Sequence, residues 1–334
     1  MKKFLLSIAV LLLSAPAFAA TLKIATVTPD GSQWMKDMRE SAMQIKERTD
    51  GRVLIKYYGG GVKGDDAKVL GQIRIRQLQG GAFTPSALSS QYSDLNLYGM
   101  PLVFDSIDEA AFVRGRMDAR LQKGLEEAGF VNFGFATSGF ANIMSATPVK
   151  SLADLKGKRV WVPEGDSISY AAMEALSLNP VTLPLTDVLT GLQTGLIDIV
   201  AIPPIVALVL QWHTKVKYVT QVPLVYTFGF MAIDKKAFDT ISQADQAIVR
   251  EVMTKTYQNF DKTNLVDNQG AYDALLKSGI QPIKFDDEEF IKVRNLLLAS
   301  NLEQGASGAF TLELYQEMLG YIDEYRSAHG AAGE

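Results

Sequence analysis

From Thr21 to Val27 the chain alternates apolar and polar residues, the two-residue period of a half-buried strand. Thr28-Pro29-Asp30-Gly31-Ser32 then supplies turn residues and a helix cap, and Trp34, Met38, Ala42 and Ile45 recur at helical spacing. Thr49-Asp50-Gly51 breaks that helix, and alternation over Arg52 to Tyr58 predicts a second strand. A helix over Asp65 to Gln79, ending at Gly80-Gly81, and a short apolar strand around Ala82-Phe83 follow. Further on, Val131 to Thr137, Arg159 to Val162 and Ile197 to Ile202 read as strands, with helices at Ser167 to Ser177 and Asp187 to Gly195. Phe228 to Ile233 reads as a strand returning to the first part of the chain, and Ser242 to Ala274 as one long helix capped by Ser242. Strands separated by helices of this length predict an α/β protein with parallel sheets and a ligand at the carboxyl ends of the strands.

The amino terminus has a different pattern. Met1-Lys2-Lys3, the apolar run Phe4 to Leu13 and Ala17-Phe18-Ala19 form a secretory signal peptide, residues 1–19, with an apolar run too short to span a bilayer. A periplasmic location is expected. The apolar stretch Ile199 to Leu210 carries Pro203 and Pro204 and reads as a buried segment.

With 334 residues, 47% hydrophobic and 21% charged, the chain is long enough for about two globular domains. It has no cysteine and two histidines, which excludes disulfides, thiol nucleophiles and thiolate metal sites. A net charge of -4 with no basic block gives no footprint for nucleic acid. No cofactor and no metal are expected.

The chemical motifs are sparse. Gly59-Gly60-Gly61-Val62-Lys63-Gly64 fits the dinucleotide pattern, but Asp65 and Asp66 put negative charge where a pyrophosphate would sit, so a glycine-rich turn is the better reading. There is no G-x-S-x-G, and His213, after Trp212, and His329, beside Gly330, read as surface or capping histidines. The carboxylate pairs Asp65-Asp66 and Asp286-Asp287 stand at helix starts, where capping explains them. The rival reading of an exported enzyme such as a hydrolase has no residues to speak for it.

Several segments carry a family resemblance. Thr49-Asp50-Gly51-Arg52, Tyr58-Gly59-Gly60 with Gly64-Asp65-Asp66, and Gly99-Met100-Pro101-Leu102-Val103-Phe104 resemble the first lobe of the DctP family, the periplasmic solute-binding proteins of TRAP transporters. Ser151 to Pro163 is similar to that family's D-L-K-G-x-K-x-R-x-P segment, and Leu192-Gln193-Thr194-Gly195-Leu196-Ile197-Asp198 to its L-Q-x-G-x-x-D segment. The resemblance implies a two-lobed periplasmic binding protein fold with a mostly parallel sheet in each lobe, a ligand cleft between them and a long helix spanning both. Lobe 1 is expected over 20–143, completed by about 229–265, and lobe 2 over 144–228, completed by about 266–315. Residues 316–334 are expected to form a C-terminal helix and tail.

The resemblance also implies a monomeric receptor that closes on a solute and hands it to TRAP membrane permease subunits. Members mostly hold organic acids with an arginine on the strand after D-L-K-G. Here that position is Trp161, and Arg159 stands two residues earlier. The family's asparagine before a proline is Ile202, before Pro203. A further arginine is replaced by Ala141, after Gly139-Phe140, and a first-lobe glutamate by Pro85. These replacements predict a small neutral or largely apolar solute contacted by Trp161, Ile202, Pro203, Leu185, Phe140 and Ala141. Trp34 or Phe83 would close from the other lobe, with Gln33, Thr84 and Asn142 as polar anchors. The alternatives are an organic acid held by a non-standard site, or a sensory receptor feeding a membrane kinase.

Overall fold

The computed structural model describes residues 19–330, with side-chain exposure given to residue 329. Most of the expected signal peptide, residues 1–18, lies outside the described residues, as does the end of the tail, 331–334.

The described residues form ten strands: β1 (Ala20–Ala25), β2 (Val53–Tyr58), β3 (Gly80–Phe83), β4 (Phe130–Asn132), β5 (Ala136–Ser145), β6 (Arg159–Pro163), β7 (Asn179–Leu183), β8 (Ile199–Ile202), β9 (Tyr218–Asp234) and β10 (Gln281–Lys284). Their order is β2-β1-β3-β9-β5-β8-β6-β7, with β4 and β10 also on β9. In lobe 1, β1 lies parallel to β2 and β3. In lobe 2, β6 lies parallel to β7 and β8, and β10 parallel to β9. β9 joins the lobes. Its last residues pair antiparallel with β3 and β4, its first residues pair parallel with β10, and β5 runs antiparallel along most of it.

Pro223 explains how so long a strand tolerates a proline. The β5–β9 register jumps between Ala141, opposite Val225, and Ile143, opposite Thr220. Pro223 falls inside that irregularity, where its missing N–H forfeits no ladder bond. The same proline hides the first half of β9 from a reading by alternation. The segment expected as one strand over Val131 to Thr137 is instead divided between β4 and β5, with Gly134 between them at φ 133°. The helix expected to reach Gln79 ends at Arg74, because the chain turns at Arg76, whose φ is 61°.

Three buried clusters fill the molecule. The first packs the lobe-1 sheet against helices Gln33–Arg48 and Ile107–Glu127, the first half of the long helix Gln243–Lys277, and the final helix Leu312–Gly330. Phe310, Leu314 and Tyr315 belong to it. The other two cover the opposite faces of the lobe-2 sheet: Val160 and Val162 face one, Trp161 the other, as strand alternation requires.

Several residues of the family-like segments serve the scaffold. Asp154 forms a capping box with Ser151. Arg159 holds Asp198 through two bonds of 2.8–2.9 Å, tying the amino end of β6 to the turn before β8. Gly195 closes helix Val188–Thr194 in the left-handed conformation.

Candidate functional site

Where strands run parallel, their carboxyl ends and the helix starts that follow gather on one edge. Here the chain after β1, β3, β6, β7 and β8 converges on a single cavity of about 670 Å³ between the lobes. Ser32 caps helix Gln33–Arg48, setting Trp34 in its first turn. Pro85 opens the short helix after β3, leaving Phe83 and Thr84 at the strand end. Pro203 and Pro204 start helix Pro204–Val209 directly after β8, and Asp166 caps helix Ser167–Ala175 after β6. The lips meet: Ser89 Oγ donates to the Gly165 carbonyl at 3.3 Å.

Trp34, Phe83, Thr84, Ala141, Trp161, Leu185, Ile202 and Pro203 all line this cavity. Three expected residues do not. Phe140 and Asn142 alternate with Ala141 on β5 and face a separate shallow recess beside Asn268 of the long helix. Gln33 is absent from the lining, and its amide is bonded to Asp37 at 2.6 Å on the helix surface. Trp161 is also less available than expected. It is 5% exposed, its ring meets Trp212 edge-on at 5.1 Å, and its N–H donates to the Leu183 carbonyl at 3.0 Å. The indole belongs to a lobe-2 core and shows only an edge to the cavity.

Sequence reasoning missed two groups of lining residues. One is the aromatic and polar wall from the crossing elements: Tyr226, Phe228 and Phe230 of β9, and Tyr257, Phe260 and Asn264 of the long helix. The register that brings them together exists only in the fold. The other is charged. Asp65 caps its helix and pairs with Lys68 at 2.9 Å, as the capping reading holds, but Asp66 does not cap. It lines the cavity with a single long contact to the Thr84 hydroxyl, 3.5 Å away. Burial and then the Asp65 charge push the Asp66 carboxyl up to about 7, against the Thr84 hydrogen bond. Asp166 is also raised by burial, opposed by its bonds from Ser169. Arg74 is the one cation among the cavity-lining residues, and among the described residues it makes no ion pair. No signal in the sequence marks it apart from its place at the end of the helix after Gly64.

Behind the cavity β5 is tied to the long helix at Thr137, next to a bulge in β5. Its N–H donates to Asp261 at 2.9 Å and its carbonyl accepts from Asn264 at 2.8 Å. Asp261 also binds Arg114, a buried guanidinium that reaches Tyr226 and Asp118. Asn264 in turn accepts from the Trp34 indole N–H at 2.7 Å, which connects the cavity wall to the crossing strands.

Two lobes joined by crossing strands and a long helix, with a deep cavity at their seam, define a cleft-type solute receptor. Residues 24–301 match the model of the DctP family, bacterial extracellular solute-binding protein family 7, and the chain belongs to that family. It is a family of binding proteins, not of enzymes. The chain is 26% identical over 275 residues to the 2,3-diketo-L-gulonate-binding periplasmic protein YiaO of Escherichia coli, covering 78% of this chain and 82% of that one. Among solved structures it resembles the sugar acid binding protein DctPAm of Advenella mimigardefordensis in complex with galactonate. There the TM-score is 0.83 at 20% identity, over 92% of this chain and 99% of the other. It also resembles a TRAP periplasmic solute binding protein of Desulfovibrio salexigens with bound orotic acid, with a TM-score of 0.81 at 18% identity, over 91% and 99%. Among the described residues no helix is long and apolar enough to cross a membrane.

Proposed function

We propose that this protein is the extracytoplasmic receptor of a TRAP-type secondary transporter, and that its solute is an organic acid with a largely apolar body. Closure of the lobes about β5, β9 and the long helix presents the loaded form to membrane permease subunits. A division of the lobes near residue 143 is part of this proposal, and the start of β5–β8 pairing at Asn142 supports it. The small neutral or largely apolar solute expected from Trp161 and Ile202 has no support among relatives that hold galactonate and orotic acid. The alternative, an acid held by a non-standard site, fits those relatives better.

The observation that carries this reading is a mainly apolar wall with one cation in its lining, the exposed Arg74 at the end of its helix, beside the lip carboxylates Asp65, Asp66, Glu164 and Asp166. A guanidinium is the side chain best shaped to hold a carboxylate, and apolar walls favour a solute whose remaining surface is hydrocarbon. The test is a thermal-shift screen of hydrophobic monocarboxylates, the matching primary alcohols and hydrophilic sugar acids, since a solute bound to the folded state raises Tm by mass action. Hydrophobic acids should raise Tm most, and Arg74→Gln should abolish their advantage over the alcohols. A larger shift with sugar acids, or equal shifts with acids and alcohols in the native chain, would overturn the reading.

A further inference from the structure

The cavity does not stop at the seam between the lobes. Val160 of β6, Met173 and Leu178 around the end of helix Ser167–Ala175, Val222 of β9, Phe285 after β10 and Val293 of helix Asp287–Ala306 all line it. Every one of these six belongs to a single buried cluster on one face of the lobe-2 sheet. Protein cores are close-packed, with few voids larger than a water molecule, and apolar cavities of useful size bind apolar guests. A void continuous with the solute cleft that runs between a sheet and two helices is therefore a built channel.

Charge is distributed along it unevenly. Arg74 lies in lobe 1, and the acids Asp65, Asp66, Glu164 and Asp166 lie in lobe 1 or at the lips. The channel through the lobe-2 cluster is lined by aliphatic and phenyl side chains. A guest that fits both ends must be elongated, with one charged end and a hydrocarbon remainder.

We infer that the lobe-2 channel is a chain-binding subsite, and that the solute is a straight-chain fatty acid whose carboxylate faces Arg74 while its tail threads between the lobe-2 sheet and helix Asp287–Ala306. This rests on the reading of the solute as a largely apolar organic acid and narrows it to one shape. A compact sugar acid would leave the channel empty, and a rigid polycyclic acid would not follow it from lobe to lobe.

The experiment is titration calorimetry of the whole protein, cleared of copurified lipid, with butanoate, octanoate, dodecanoate and hexadecanoate. Burial of each methylene at about 0.8 kcal/mol should tighten binding about fourfold per added carbon until the channel is full. Val293→Phe, which narrows the channel, should remove most of the gain from octanoate onward and leave butanoate unchanged. Leu178→Ala, which widens it, should move the tightest-binding chain to a longer one, and it serves if the first variant fails to fold. An affinity independent of chain length would overturn the channel while leaving an acid receptor in place, as would tighter binding of cholate than of any straight chain. Failure of every acid, with alcohols bound equally well, would instead remove the acid reading beneath it.

Discussion

Replacing Gly165 by alanine separates the cost of a lobe's own loop from the cost of closing the cleft. Gly165 follows β6 with φ +81°, in a turn closed within lobe 2 by the Asp166 N–H on the Pro163 carbonyl at 3.1 Å. An alanine there carries a left-handed backbone in open and closed forms alike, about 1–2 kcal/mol of strain that lowers Tm. The added Cβ would also stand 3.0 Å from the Ser86 carbonyl oxygen of the opposite lip. That contact exists only when the lips meet, and a backbone oxygen yields less readily than a side-chain tip. We expect closure to be disfavoured by a further ~1–2 kcal/mol, a shift of about five- to thirtyfold in the closed-to-open ratio. Small-angle scattering of native and variant protein reads the closed fraction, and calorimetric melting reads the loop strain. A variant that melts lower but scatters as the native protein does would show that the lips have room for a methyl group, and the closure argument would fail.

Asp66→Asn should change stability in a pH-dependent way. The folded carboxyl titrates near 7 and an unfolded aspartate near 4, so the folded state binds more protons between those values and stability falls as pH rises through that window. The variant should melt like the native protein at pH 4 and above it at pH 8; equal melting at both would refute a buried, cavity-facing Asp66. Trp161→Ala should lower Tm by roughly 10 °C, because removing a buried indole costs about 3–5 kcal/mol at a few degrees per kcal/mol. A drop below 2 °C would mean the ring is a solute contact and not core. Asn264→Ala leaves the Thr137 carbonyl and the Trp34 N–H without partners, so it should cost about 1–3 kcal/mol and shift the Trp34 emission. Unchanged emission and melting would dissolve the proposed connection between the cavity wall and the crossing strands.

Local physics was legible along the chain. Ser32 and Ser242 cap the helices they were read to cap, Gly59 to Gly64 form a turn, and the capping box at Ser151 and the Arg159–Asp198 tie sit in the segments that resemble the family. The caps and the turn depend on residues a few positions apart, so the order of residues alone determines them, whereas the Arg159–Asp198 tie needs the fold to bring its partners together. The cavity's chemistry was decided elsewhere. Which face of β5 meets the cleft depends on its alternation and on the bulges in its pairing with β9, and that register turned Phe140 and Asn142 away while keeping Ala141. Trp161 lines the site yet is held in a core by Trp212, fifty-one positions on, a partnership no local pattern records. Asp66 acquires its raised pKa, and the second lobe its channel, only when β3, β6, β9 and helix Asp287–Ala306 are brought together. Caps and periodicity are short-range, whereas desolvation and voids are properties of what surrounds a residue, and only the tertiary structure supplies the surroundings.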